Sequence, residues 1–334
     1  MRHSTYSANV KIGGEEALMA DNISNINSII SDNLTLLSSE GSYVEQRRLA
    51  QLRERALIVS RSDSLLDSDN RADEFNAIFS EDTEFDSIPE TAAYVEQKKR
   101  AQLFSDKLTV CKFLAEIYRS LRVNILERLL GNESAPSSVK IAYFRNAYAD
   151  AAFRIFSEIL DNPAAEYASD FTAVCEEVYY GRADMCMLPL DSSRDAKLIS
   201  FYRLIDKYEL SPIFSCDVTT PDGSVTTRYA LLKKSMALPK KELREKCDSC
   251  FFEFSLIPDN GMALSDVLAA ASECGLSLYK VDSIPLTYNE SEFACDIILK
   301  VGSDEGLDAF VLFLSLAMPQ YEPLGIYPHI SKKV

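Results

Sequence analysis

Between Glu15 and Leu130 the chain contains one glycine, Gly41, and one proline, Pro89. These residues are the strongest breakers of regular structure, so their scarcity over such a length predicts a series of helices. Apolar spacing places them over Ala17 to Leu37, Tyr43 to Ser60, Arg71 to Phe79 and, as one long helix, Thr91 to about Leu130. The segments SRSDSLLDSDNR and SEDTEFDSIPE read as polar, acidic connections. A short echo links two of the helices, YVEQRRLAQL from Tyr43 and YVEQKKRAQL from Tyr94. Charges interleaved with Val, Ala and Leu suit an amphipathic packing face with a solvated outside, and a basic groove for an anion is the alternative.

Beyond Gly131 the texture changes. GNESAPSS has linker composition, and VKIAYF, MCMLPL, PIFSCDVTT and VTTRYALLKK then read as buried strands, the last two joined by a turn at Pro221-Asp222-Gly223. Helices are expected over Ala147 to Leu160, Phe171 to Tyr180 and Lys197 to Lys207. Strands alternating with helices predict an α/β arrangement. After the basic spacer KKSMALPKKELREKCDSC, strands at Phe251, Ser277, Phe293 and the terminal YEPLGIYPHI enclose helices at Ala263 and Leu307. This is the βαββαβ order of a ferredoxin-like unit. The expected domains are 1–132, helical; 138–236, α/β; and 249–330, ferredoxin-like.

Charge and residue usage narrow the function. A net charge of -16 argues against a nucleic-acid partner, because phosphate binding is driven by clustered Lys and Arg. No stretch reaches the roughly 18 apolar residues of a membrane span, and the N-terminus lacks a signal-peptide core, so a cytoplasmic protein is expected. The eight cysteines are scattered through apolar segments and read as reduced, buried thiols. Cys247-Asp-Ser-Cys250 is a lone CxxC without a second ligand pair, so neither metal nor redox cofactor is expected. The only histidines, His3 and His329, lie at the chain ends, which on sequence grounds excludes Ser-His-Asp or Cys-His machinery in the middle of the chain.

Several pieces in order, IAYF, DFTAVCEEVYYGRADMCMLPLDSS, TTRY and PLGIYP, resemble prephenate dehydratase with its C-terminal ACT regulatory domain, as in the fused chorismate mutase and prephenate dehydratase proteins. The resemblance implies a two-lobed, periplasmic-binding-protein-like α/β domain followed by an ACT domain. The family's Thr-Arg-Phe is matched by Thr227-Arg228-Tyr229, and its Pro-Ile-Glu-Asn-Ser by Pro189-Leu190-Asp191-Ser192-Ser193. LRERALIVSR and Phe113 to Leu130 resemble helices of the chorismate mutase domain, with Arg53, Arg55, Arg61, Arg71 and Arg122 as candidate cations. Ala72 stands where a Glu is expected and no matching Gln lies near Asn124. That part is read as a degenerate mutase fold used for dimerisation, without mutase activity.

Prephenate dehydration expels a ring hydroxyl and carbon dioxide together, so the protein has to assist the hydroxyl and hold two carboxylates. The resemblance gives Thr227 the first task and Arg228 the second, arginine being suited to bidentate pairing. Tyr229, Asp191, Ser192 and Ser193 would complete the wall, with Arg145, Asn146 and Tyr148 from the first strand-to-helix turn. The family's Gly-Pro-x-Gly-Thr-(Tyr/Phe)-Ser loop is replaced there by Phe144-Arg145-Asn146-Ala147-Tyr148-Ala149-Asp150, which lacks both glycines and both hydroxyls and adds an acid. At the regulatory end, Gly261, Met262, Ala263 and Leu264 stand for the family's Gly-Ala-Leu loop, and Asp282 and Ser283 for its Glu-Ser-Arg-Pro, here with Ile284 in place of Arg. Two functions follow: a dehydratase acting on a small anion such as prephenate without cofactor, or a catalytically silent homodimer or homotetramer binding phenylalanine or another small molecule.

Overall fold

The structure, a computed structural model, describes residues 43–61, 65–79, 92–131, 139–160, 162–239, 244, 247–257, 263–286, 289–318 and 320–331. The chain divides near Ile125 into two compact units. The helix expected over Ala17 to Leu37 lies outside the described residues.

The first unit is built on α1 (Tyr43–Ser60), α2 (Arg71–Ala77) and α3 (Ala92–Ser120). Leu52, Ala56 and Val59 recur at helical spacing and are buried, as are Leu108, Cys111, Leu114 and Ala115 of α3, and the two helices pack together. The single long helix expected to reach Leu130 stops at Ser120, and α4 resumes at Ile125–Leu130. Arg122 adopts φ +59 between them, with Arg122 N donating to Arg119 O and Val123 N to Tyr118 O. Those two bonds are a Schellman cap with arginine where glycine is usual. The expected cations serve the fold here: Arg53 lies 4.7 Å over the Phe113 ring, Arg55 5.0 Å over Phe79, and Arg71 donates to the carbonyls of Leu66 and Ser68. Arg61 and Arg122 are exposed.

The second unit starts with β1 (Lys140–Phe144), α5 (Ala147–Ser157), β2 (Ala164–Ala168), α6 (Phe171–Tyr179) and β3 (Met185–Ser192). β4 (Ala196–Lys197), α7 (Ile199–Lys207), β5 (Ser211–Thr219) and β6 (Thr226–Lys233) follow. Then come β7 (Ser249–Leu256), α8 (Leu264–Glu273), β8 (Ser277–Leu286), β9 (Asn289–Lys300), α9 (Asp304–Ala317) and β10 (Tyr321–Ile330). Nine strands form one sheet in the order β2-β1-β3-β6-β5-β10-β7-β9-β8, with β4 paired to β3. β1 runs parallel to β2 and β3, as helical crossovers require, and β3-β6-β5 are antiparallel. From β7 onward the elements follow the βαββαβ order read from the sequence, and their strands lie as β10-β7-β9-β8. β2 was missed because AAEYA carries almost no apolar run.

Alternation along the strands sorts the core into two faces. Ile141, Tyr143, Met185, Met187, Cys216, Tyr229 and Leu231 pack with Ala149, Ala152, Ile155 and Phe156 of α5. Ala142, Cys186, Leu188, Leu190, Ala230 and Leu232 pack on the other face with Val174, Cys175 and Val178 of α6. The two-lobed form expected of 138–236 is not found among the described residues. Between β3 and β6 there are only β4, α7 and β5, and each of these strands joins the same sheet, which leaves no material for a second core.

β10 joins the halves of the sheet. It lies antiparallel to β7 along most of its length and parallel to β5 at His329↔Ser215 and Ile330↔Cys216. Gly325 permits the approach, since a Cβ there would sit 2.8 Å from the carbonyl oxygen of Pro212.

Candidate functional site

The start of β6 is fixed by its turn. The Asp222 carboxylate accepts from the hydroxyls of Thr220 and Ser224 and from Ser224 N, bonds that lower its pKa to about 2. Gly223 takes the left-handed φ of +72 that the turn requires. From there the strand alternates. Thr226, Arg228, Ala230 and Leu232 share the α6 face, and Thr227, Tyr229 and Leu231 share the α5 face.

Arg228 is only 2% exposed. Its Nη2 lies 2.5 Å from Asp191 Oδ2, an ion pair off the line of a hydrogen bond, and also donates to the hydroxyl of Tyr202 at 3.4 Å. The same hydroxyl donates to Glu253 Oε1 at 3.2 Å, and the Tyr327 hydroxyl donates to Glu253 Oε2 at 2.5 Å. Glu253 is itself buried, in the middle of the apolar run Phe251-Phe252-Glu253-Phe254. Among the described residues no protein group accepts from Nε or Nη1 of Arg228. Burial works against the guanidinium charge, but Tyr327, Tyr202, Glu253 and Asp191 outweigh it and hold the pKa above the ordinary arginine range. Around this core, Lys280 Nζ lies 3.6 Å from Asp191 and 3.2 Å from Asp282. Lys280 thus connects Asp191, expected at the substrate, with Asp282, expected at the regulatory ligand.

His329 corrects the exclusion made from the sequence. Because β10 runs into the middle of the sheet, His329 Nδ1 reaches Ser215 Oγ at 2.8 Å and Nε2 lies 3.4 Å from Asp217 Oδ2. A serine, a histidine and an aspartate are therefore adjacent after all. Ser215 is fully buried in a paired strand, so its hydroxyl is not open to a substrate, and the trio ties β5 to β10.

The remaining expected residues lie elsewhere. Asn146 caps α5, its Oδ1 accepting from Tyr148 N at 3.0 Å and Ala149 N at 2.9 Å. The helix-end amides that would face an anion are thus taken by the chain's own side chain. Arg145 pairs with Asp150 at 3.4 Å and lies 4.9 Å over the Tyr167 ring, while Asp150 also accepts from the Tyr143 hydroxyl at 2.9 Å. Tyr148 is half-exposed, and Tyr229 is buried on the same face, its hydroxyl pKa pushed up to about 12 mainly by burial. Ser193 closes the β3–β6 ladder, its N donating to Thr226 O and its Oγ accepting from Thr226 N. Ser192 Oγ accepts from Arg194 N. Gly261 and Met262 lie outside the described residues. Ala263 precedes α8 and donates its N–H to Asp266, Leu264 opens that helix, and Ser283 is exposed on β8.

The structure therefore brings Arg228, Asp191 and Asp282 together and separates them from Thr227, Tyr229 and Tyr148. Glu253, Tyr202, Tyr327, Lys280, Asp217 and His329 were not foreseen. For Asp217, Glu253, Tyr327 and His329 the available signal was a charged or polar residue inside an apolar strand, as in FFEFSL and GIYPHI.

The buried hydroxyls have a measurable pH signature. Burial, reinforced by Glu253, raises Tyr202 and Tyr327 well above the ordinary 10.0. The unfolded chain ionises these groups near pH 10 and the folded chain does not. Their stabilisation is complete below pH 10 and is lost as pH rises toward the folded values, by about 1.4 kcal/mol per pH unit for each tyrosine. Unfolding free energy measured from pH 9 to 12 should fall from about pH 10, and less steeply in Tyr202→Phe. An unchanged slope in that variant would remove Tyr202 from the cluster.

Among the described residues no helix is long and apolar enough to cross a membrane. No protein-family model and no curated protein matches the sequence. Solved structures do share similarity. The prephenate dehydratase of Streptococcus mutans is 16% identical with a TM-score of 0.46, covering 57% of this chain and 99% of that one. A quorum-quenching acylase is 16% identical with a TM-score of 0.43, over 58% and 96% of the two chains. A prephenate dehydratase from Arthrobacter aurescens, in complex with L-Phe, is 12% identical with a TM-score of 0.42, over 57% and 90%.

Proposed function

We propose that this chain is a catalytically silent relative of prephenate dehydratase, a cytoplasmic homo-oligomer that binds a small molecule and acts through its assembly. The helical unit, read as mutase-like, supplies subunit contacts, and the βαββαβ half serves as an ACT-type regulatory module. The observation that carries the reading is that Asn146 Oδ1 accepts from the amides of Tyr148 and Ala149 at the start of α5, where the family's glycine loop would meet an anion. A dehydratase has to hold two carboxylates, and at this helix end the chain's own side chain already takes the donors. Two further features agree. Both glycines of the family loop are absent, and Nη2 of Arg228 is already ion-paired to Asp191.

The test is incubation of purified full-length protein with prephenate at neutral pH while phenylpyruvate is followed. Formation no faster than the spontaneous reaction is expected, together with a dimer or larger species by light scattering. Turnover above the spontaneous rate that Thr227→Val abolishes would overturn the proposal and make this chain a working dehydratase.

A further inference from the structure

Lys280 and Asp191 are in ion-pair contact although they belong to strands far apart in the sheet. Six intervals separate β8 from β3 in the strand order, about 29 Å in a flat sheet at the usual spacing of ~4.8 Å. Contact at 3.6 Å therefore requires the sheet to curl until its β8 edge returns over β3. The enclosed face carries Arg228 at its floor. At its rim stand Asp191, Asp217, Lys280 and Asp282, each partly exposed, and the half-exposed ring of Tyr279.

We propose that this concave face is a binding site for a small zwitterion of the amino-acid class, its carboxylate directed to Arg228 and its ammonium to Asp217 and Asp191. The proposal deepens the ligand-binding reading above and rests on it. Charge selects the ligand. Among the described residues five carboxylates on this face, Asp191, Asp217, Glu253, Asp282 and Asp296, stand against the two cations Arg228 and Lys280, so a dianion such as prephenate would meet net repulsion. A simple amine would suit the acidic rim but would leave Nε and Nη1 of Arg228, more than nine-tenths buried, without an acceptor among the described residues. A molecule with both charges answers both demands, and the depth of the arginine relative to the rim fixes which end enters first. Lys280 holds the mouth closed by placing its own ammonium between Asp191 and Asp282, where the ligand's ammonium would compete for Asp191.

The test is calorimetric titration of the full-length protein with the twenty amino acids, each hit compared with its two single-charge fragments. For leucine these are 4-methylpentanoate and isopentylamine. Saturable binding of at least one amino acid is expected, with each fragment weaker by about tenfold or more, the effect of losing one charge-assisted contact. Asp217→Asn should weaken the zwitterion about tenfold and leave the carboxylate fragment unchanged, whereas Arg228→Lys should weaken both. Lys280→Ala should tighten binding by removing the competing ammonium. Absence of binding by all twenty, or fragments that bind as tightly as the zwitterion, would overturn the proposal. Binding that survives both Asp217→Asn and Arg228→Lys would place the ligand elsewhere, and with no prephenate turnover it would leave the ligand-binding reading intact while removing this site.

Discussion

Replacing Arg228 by methionine is expected to destabilise the protein by about 3–5 kcal/mol, among the largest effects available from a single side chain in the second unit. The cation is flanked by Asp191 and by the buried Glu253–Tyr202–Tyr327 group. Removing it leaves buried carboxylate and hydroxyl groups without the cation that faces them. For a cooperative unit of this size the loss corresponds to a fall in melting temperature of about 10 °C. The interpretation is separable from simple loss of volume. If the penalty is electrostatic, Arg228→Met combined with Glu253→Gln recovers part of it, and the double-mutant cycle gives a coupling energy above about 0.5 kcal/mol. Additive losses, or an Arg228→Met variant within about 0.5 kcal/mol of the parent, would mean that the guanidinium is solvated and the cluster is not a unit.

The second large effect is steric and lies away from the cluster. Gly306 sits in the first turn of α9, capped by Ser303, and a Cβ there would come 1.8 Å from the carbonyl oxygen of Cys274 at the end of α8. Neighbouring Gly302 has the same constraint, 2.3 Å from the carbonyl oxygen of Gly275. Helix propensity alone predicts that Gly306→Ala stabilises by up to about 1 kcal/mol. The contact predicts the opposite sign, a loss of about 3 kcal/mol, because the obstructing atom is backbone and cannot rotate away. Urea unfolding of Gly306→Ala decides between them, and a stabilised variant would show that α8 and α9 are not in close approach.

Much of the fold was legible in the residues. Periodicity located α1 at Tyr43–Ser60 without error, and the near-continuous apolar run MCMLPL announced β3, which is covered on both faces. Chain order also yielded the βαββαβ sequence of the C-terminal half. What periodicity does not encode is which strands become neighbours. His329 looked remote because it is near the end of the chain, yet β10 pairs with β5 and sets it 2.8 Å from Ser215, 114 residues earlier. The cap at Arg122 was invisible for another reason, since an arginine in the left-handed region gives no glycine signal. In the candidate site, strand alternation gives the threonine and the arginine of TTRY to different faces. Lys280 could not be found from spacing at all, because its meeting with Asp191 depends on curvature accumulated across six strand intervals.

The central position of β10 also orders events in time. Strands β1 to β9 are made before it, so during synthesis the β2-β1-β3-β6-β5 segment and the β7-β9-β8 segment each exist with an open edge where β10 will lie. Neither Ser215 nor Glu253 has its β10 partner until residues 327 and 329 have left the ribosome. Contacts of such sequence separation form slowly, because the loop-closure entropy precedes any gain. The hydrogen bonds of Ser215 and Glu253 to β10 are consequently the part of the buried polar network that has to wait for the last strand.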